Sequence, residues 1–269
     1  MQMERVASNH KFTEGPVWSR EGFLLFSDIP DDRIYIIDAK GKRVFRENSN
    51  GANGNTYDAQ GRLLTCESRT RRVVRLEKDG SLTVLAERYQ GKRLNAPNDI
   101  VVRRDGNIYF TDPAFGNQTE GRELDFYGVY RIPPRGELEL VARPAGRPNG
   151  IALSPNGRVL YVANSDEKNI RAYDLDGKGA ASNERVLIDK IDGVPDGMKV
   201  DERGNLYVTA RAVFVFSPQG KLLASIETPE TPANVAFGEA DHQTLYITAR
   251  TSVYRTRVPI RGFLPYAVD

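Results

Sequence analysis

The chain has 269 residues, with 38 Lys and Arg against 36 Asp and Glu, for a net charge of +2. A charge so close to zero excludes the strong one-sided field that draws nucleic acid or an anionic membrane, and no apolar run is long enough to span a bilayer. The single cysteine, Cys66, excludes an intramolecular disulfide and suits a reducing, cytoplasmic location, with a cleaved leader left open.

In chain order, residues 4–12 come first, then a pattern that recurs six times. An acid or amide is followed eight residues later by a glycine, and then by a short apolar run. Glu14 leads to Gly22 and Phe23-Leu24-Leu25-Phe26, Asn53 to Gly61 and Leu63-Leu64, and Asn98 to Gly106 and Ile108-Tyr109-Phe110. Asn149 leads to Gly157 and Leu160-Tyr161-Val162, and Asp196 to Gly204 and Leu206-Tyr207-Val208. Asn234 gives a looser copy with Leu245-Tyr246-Ile247. Successive first positions lie 38 to 51 residues apart. A period in that range with β-rich repeats indicates a propeller. The expected fold is all-β, a six-bladed β-propeller, forming one domain over residues 1–269; whether its centre is a metal site turns on the donors the ring presents.

Each repeat reads as four strands. In the first they are residues 15–18, 23–28, 33–38 and 43–47; in the fourth, 150–153, 159–164, 169–175 and 184–188. Alternating, β-branched character favours strands throughout, and no segment has a helical period. Asp105-Gly106, Asn156-Gly157 and Asp79-Gly80 are hairpin signals, because such turns need positive φ. Residues 4–12 are expected to pair with the last blade, beside residues 252–258, and so close the ring without an open edge.

This meander puts the first positions of all six repeats on one face, together with the loops that follow each second strand. Those loops begin at Asp28, Glu67, Asp112 and Asn164, and near Arg211 and Arg250. The third, residues 113–127, is the long one and the candidate lid. It carries Phe115, Phe126 and Tyr127 for an apolar pocket, or Glu120, Arg122 and Glu123 for a polar one.

The ring of first positions offers two carboxylates, Glu14 and Asp196, and four amides. Oxygen-only donors suit hard cations such as Ca²⁺ or Mg²⁺ over Zn²⁺ or Cu²⁺. Glu14, Asn98, Asn149 and Asp196 sit in the best-matched copies, while Asn53 and Asn234 are more peripheral. The plainer alternative is a water-filled pore whose strand starts are capped by polar residues. His10 and His242 lie off the ring and read as surface or loop residues; Cys66 reads as packing. No serine sits in a G-x-S-x-G elbow, and no glycine pattern matches a phosphate loop or dinucleotide fingerprint.

The segments Phe12-Thr13-Glu14-Gly15-Pro16-Val17-Trp18, Arg93-Leu94-Asn95-Ala96-Pro97-Asn98-Asp99-Ile100, Tyr109-Phe110-Thr111-Asp112-Pro113, Arg147-Pro148-Asn149-Gly150-Ile151 and Val194-Pro195-Asp196-Gly197-Met198 resemble the gluconolactonase / senescence-marker-protein / luciferin-regenerating-enzyme family. Residues 55–63 look like its bacterial gluconolactonase branch. The resemblance spans essentially the whole chain. It implies a divalent metal, usually Ca²⁺, in the central tunnel, with Mg²⁺, Mn²⁺ and Zn²⁺ left open, and hydrolysis of sugar-acid lactones and related esters. It matches Glu14, Asn98, Asn149 and Asp196 to the family's metal ligands and gives Asp196 an added acid–base role. One departure matters: a substrate-binding arginine of animal members falls at Ala96, so substrate identity does not carry over.

The expectation is a metal-dependent lactonase with Asp196 as general base. Asp99, Asn53, Asp112 and Asn234 are expected as surrounding or substrate-pocket residues. The partner is a small-molecule lactone, with no nucleic acid and no membrane; the oligomeric state stays open. The rival enzyme is a phosphotriesterase or arylesterase on the same scaffold. The non-enzyme rival is an NHL-like binding propeller, since residues 150–164 also look like such a repeat.

Overall fold

The computed structural model describes residues 2–266. Six four-stranded antiparallel sheets follow one another around an axis. The innermost strands are Thr13–Ser19, Ala52–Tyr57, Ile100–Val102, Pro148–Leu153, Met198–Val200 and Pro232–Gly238, which define blades 1 to 6. In blades 1 to 5 each sheet runs outward in chain order. In blade 6 the outermost strand is Glu4–Ala7, paired antiparallel with Ser252–Arg257. Glu4 lies opposite Arg255 and forms an ion pair with it, 2.9 Å apart, so strand pairing and charge together latch the ring.

The strands form where the side chains alternate between neighbouring sheets. Between blades 4 and 5, Tyr161, Ile170, Met198, Val208 and Phe214 interlock as one apolar layer, and equivalent layers fill the other gaps. Each sheet is thus covered on both faces, which is why second strands such as Phe23–Asp28 and Val159–Asn164 read as nearly continuous apolar runs.

Every inner ladder breaks at its ring residue. In blades 1, 2, 4 and 6 the register shifts between Glu14 and Val17, Ala52 and Asn55, Pro148 and Ile151, and Pro232 and Asn234. In blades 3 and 5 the regular strand starts two residues later, and Asn98 and Asp196 are held by single bonds from their amides to the carbonyls of Thr111 and Thr209. Such bulges re-aim side chains out of the plane of the sheet.

Below the ring, the chain after blade 6 crosses the lower ends of the inner strands. Gly262 bridges to Asp201, Phe263 N–H donates to Val200 O, and the buried Tyr266 donates its hydroxyl to Trp18 O at 2.7 Å. This strap and the inner strands above it leave a cavity of about 30 Å³, room for roughly one water.

Candidate metal centre

The blades are stitched together at the ring. Gly54 N–H donates to Asn98 O, Gly150 N–H to Asp196 O and Gly197 N–H to Ala233 O. Hydroxyls from the second strands reinforce this, with Ser27 donating to Asn53 O, Thr111 to Asn149 O and Thr209 to Ala233 O. Glycine after the ring residue is a consequence of this contact: a Cβ on Gly150 would stand 2.2 Å from Asp196 O. The ring residues of neighbouring blades are therefore held side by side.

Glu14 is buried, and its Oε2 accepts from Gly15 N–H at 2.5 Å and from Asn234 Nδ2 at 2.9 Å. Burial and the Asp99 charge push its carboxyl up to about 7, while the Lys199 ammonium pulls the other way. Asp196 is half-buried, and desolvation followed by the charges of Glu14 and Asp99 raises it well above the usual carboxylate range; the Asn149 amide beside it opposes the rise. Glu14, Asp99 and Asp196 thus lie within range of one another's charge. Asn149 also donates to Ser165 Oγ, and the half-buried Asn98 side chain makes no hydrogen bond among the described residues.

Three of the surrounding candidates, Asn234, Asn53 and Asp99, lie at the ring or next to it in sequence. Asn234 bridges Glu14 and its own backbone, its Oδ1 accepting from Val235 N–H. Asn53 has a buried Oδ1 that accepts no hydrogen bond among the described residues. Asp99 ties blade 3 to blade 4, accepting from Ile100 N–H at 2.9 Å and Ile151 N–H at 3.3 Å.

Asp112 is placed differently. Both of its oxygens are occupied at 2.8 Å by the amides of Asn95 and Ala96, and burial pushes its carboxyl up to about 7. It fixes the segment leading to Asn98. Asp28 does the same in blade 1 for Lys11 and Phe12, with His10 as a further partner at 3.1 Å. His10 is therefore a buried anchor and not a surface residue. Cys66 is fully buried in the layer between blades 2 and 3.

The long loop is pinned. Arg71 donates to Glu120 O, Arg122 to Asn95 Oδ1, and Glu123 pairs with Arg93. Phe126 packs into the layer between blades 2 and 3, and a 3₁₀ turn occupies Gly116–Thr119. Phe115 lies under the Arg147 guanidinium of blade 4 at 4.6 Å, so this aromatic reaches toward Asn149.

Sequence reasoning missed Lys199. Its ammonium lies 3.8 Å from Asp99 Oδ2 and donates to Met198 O at 3.1 Å. The signal was available: three residues after the ring position the other blades carry Val17, Thr56, Val101, Ala152 and Phe237, and only blade 5 carries a charge.

The donor set fits a hard divalent cation. Among the described residues no three His, Cys, Asp or Glu side chains cluster as ligands, so a metal here depends on amide oxygens beside two carboxylates. The charges that repel one another, together with unpartnered amide oxygens, are what a cation would relieve.

Comparison with known proteins identifies the family and agrees with the propeller fold. The SMP-30/Gluconolactonase/LRE-like region matches residues 12–251. A gluconolactonase of Zymomonas mobilis is 36% identical, covering 97% of this chain and 82% of the relative. A gluconolactonase structure from Xanthomonas campestris superposes with a TM-score of 0.89 at 35% identity, covering 96% and 89% of the two chains. A calcium-binding regucalcin structure from Agrobacterium tumefaciens shares the fold, with a TM-score of 0.84 at 19% identity over 99% and 98%. The chain belongs to the SMP-30/gluconolactonase/LRE-like family.

Proposed function

We propose that the ring is the active centre of a divalent-metal-dependent lactonase acting on lactones of sugar acids. Its place among lactone-hydrolysing enzymes follows from family membership and from the 36% identical gluconolactonase. The observation that carries the reading is the convergence of Glu14 and Asp196, with Asn149 beside them, on one buried axial space where the Glu14 charge raises the proton affinity of Asp196 and the Asp99 charge raises that of both.

Glu14, Asn98, Asn149 and Asp196 would hold the ion, and Ca²⁺ suits their oxygen-only chemistry. When bound, such an ion supplies electrostatic polarisation of a carbonyl oxygen. The chain supplies the rest. Asp196, half-buried at the ring, accepts the proton from the attacking water. Asn234 and Gly15 fix the Glu14 carboxylate, and Asp99 locks blade 3 against blade 4 so that Asn98 and Asn149 keep their spacing. The strap through Phe263 and Tyr266 shields the space from bulk water below.

The test is a panel of aldonolactones, aliphatic lactones, aryl esters and phosphotriesters, assayed on chelated protein and after return of Ca²⁺, Mg²⁺, Mn²⁺ or Zn²⁺. Sugar lactones should be the preferred substrates, and hydrolysis should vanish on chelation and return with one or more ions. Hydrolysis indifferent to verified metal removal, or preference for phosphotriesters, would overturn the proposal.

A further inference from the structure

The axial space holds three carboxylates, Glu14, Asp99 and Asp196, and one cation of its own. Lys199 rises from the inner strand of blade 5, and among the described residues Asp99 is its only ion-pair partner. Its ammonium also lies 3.5 Å from Asn234 Oδ1, the residue that donates to Glu14. The wall around it is mostly apolar, with Val17, Val101 and Phe237 at matching depth beside Thr56, and the strap beneath. Asp112 stands apart from this group, near the charges of Arg71 and Arg122. Three negative charges and one positive leave a net of −2.

We propose that Lys199 is a specificity-determining residue that sets the charge of the ion the ring accepts, by offsetting Asp99 so that the site is matched to a divalent cation. This rests on the metal reading given above. Lys199 need not touch the ion. It acts through Asp99 and Asn234, and through the field along a narrow, poorly solvated shaft. A trivalent ion gains one more unit of attraction from each fixed negative charge, and suffers one more unit of repulsion from each positive one, than a divalent ion of similar size. Lys199 therefore penalises the trivalent ion selectively. Two unit charges even about 10 Å apart, at an effective dielectric near 20, alter an affinity by roughly tenfold.

The experiment measures affinities of Tb³⁺ and Ca²⁺ for the full chain by competitive titration, and reads their ratio. Lys199→Met should raise the Tb³⁺-over-Ca²⁺ ratio by about tenfold or more, and Lys199→Arg should leave it close to wild type. Asp99→Asn should lower the ratio. The double variant Lys199→Met, Asp99→Asn, with net charge restored, should return it to near the wild-type value. A merely structural lysine would not give that return, because two structural lesions add instead of cancelling. An unmoved ratio in Lys199→Met, or a double variant that fails to return, overturns the inference. If Lys199→Met does not fold, Asp99→Asn decides: an unchanged ratio there overturns it equally. Failure of the wild-type chain to bind either ion overturns the metal reading itself, whereas binding with an unmoved ratio overturns only the role of Lys199.

Discussion

Replacing Glu14, a proposed ion ligand, should stabilise this protein when no ion is bound. Burial and the Asp99 charge carry Glu14 from an ordinary 4.5 to about 7. The folded state thus holds this proton more tightly than the unfolded chain does. The stability so gained is fully present below pH 4.5 and is lost as pH rises to 7. At about 1.4 kcal/mol per factor of ten, the ionised side chain costs the metal-free fold on the order of 3 kcal/mol at pH 8. Glu14→Gln never carries the charge, and its amide oxygen can still accept from Gly15 and Asn234. With about 2–4 °C per kcal/mol for a chain of this size, chelated Glu14→Gln should melt roughly 6–12 °C above chelated wild type at pH 8, with the gap closing at pH 4.5. Saturating Ca²⁺ should reverse the order, because wild type then gains more from binding. Calorimetric or fluorescence melts at both pH values, with and without the ion, decide the matter. If chelated Glu14→Gln is no more stable than wild type at pH 8, the carboxylates do not burden the fold, and the cation argument built on their repulsion fails.

Asp196→Asn keeps an oxygen at the ring but removes the proposed base, so lactone turnover at saturating ion should fall by at least ~10²-fold; near-native turnover with occupancy verified would transfer the role to Glu14 or Asp99. Chelation of wild type at pH 8 should lower Tm by roughly 5–10 °C, from about 2.7 kcal/mol of binding free energy at a hundredfold excess over Kd, and an unmoved melt would refute native-state ion binding. Phe115→Ala removes the aromatic under Arg147 without touching the buried layer that Phe126 occupies. It should reorder a lactone panel by kcat/KM while leaving ion affinity alone, and an identical ranking would reduce the long loop to a surface feature.

The strands were legible because their signals are local. The expected residues 23–28, 33–38, 159–164 and 169–175 coincide with Phe23–Asp28, Arg33–Asp38, Val159–Asn164 and Asn169–Leu175, each bounded by turn residues that the backbone needs there. The N-terminal latch was legible from topology, since an unpaired edge had to find a partner. What stayed hidden depended on contacts distant in sequence. Asp112 looks like a pocket residue from its place at a loop start, but its oxygens face backbone amides that only the folded segment at Asn95 and Ala96 brings near. Lys199 is one charge in a short apolar strand, and its pairing with Asp99 spans a hundred positions of chain. The strap through Gly262 and Tyr266 has no periodicity at all, so nothing local announces that it crosses the axis.

The strap gives the tunnel a floor, with space for about one water above it. A tunnel open at both ends would let a hydrolysed acid depart downstream while the next lactone arrives from above. With a single mouth, arrival and departure share one passage, so product must clear the entrance before substrate can enter. Inhibition by product should accordingly be competitive with the lactone, raising apparent KM and leaving kcat untouched.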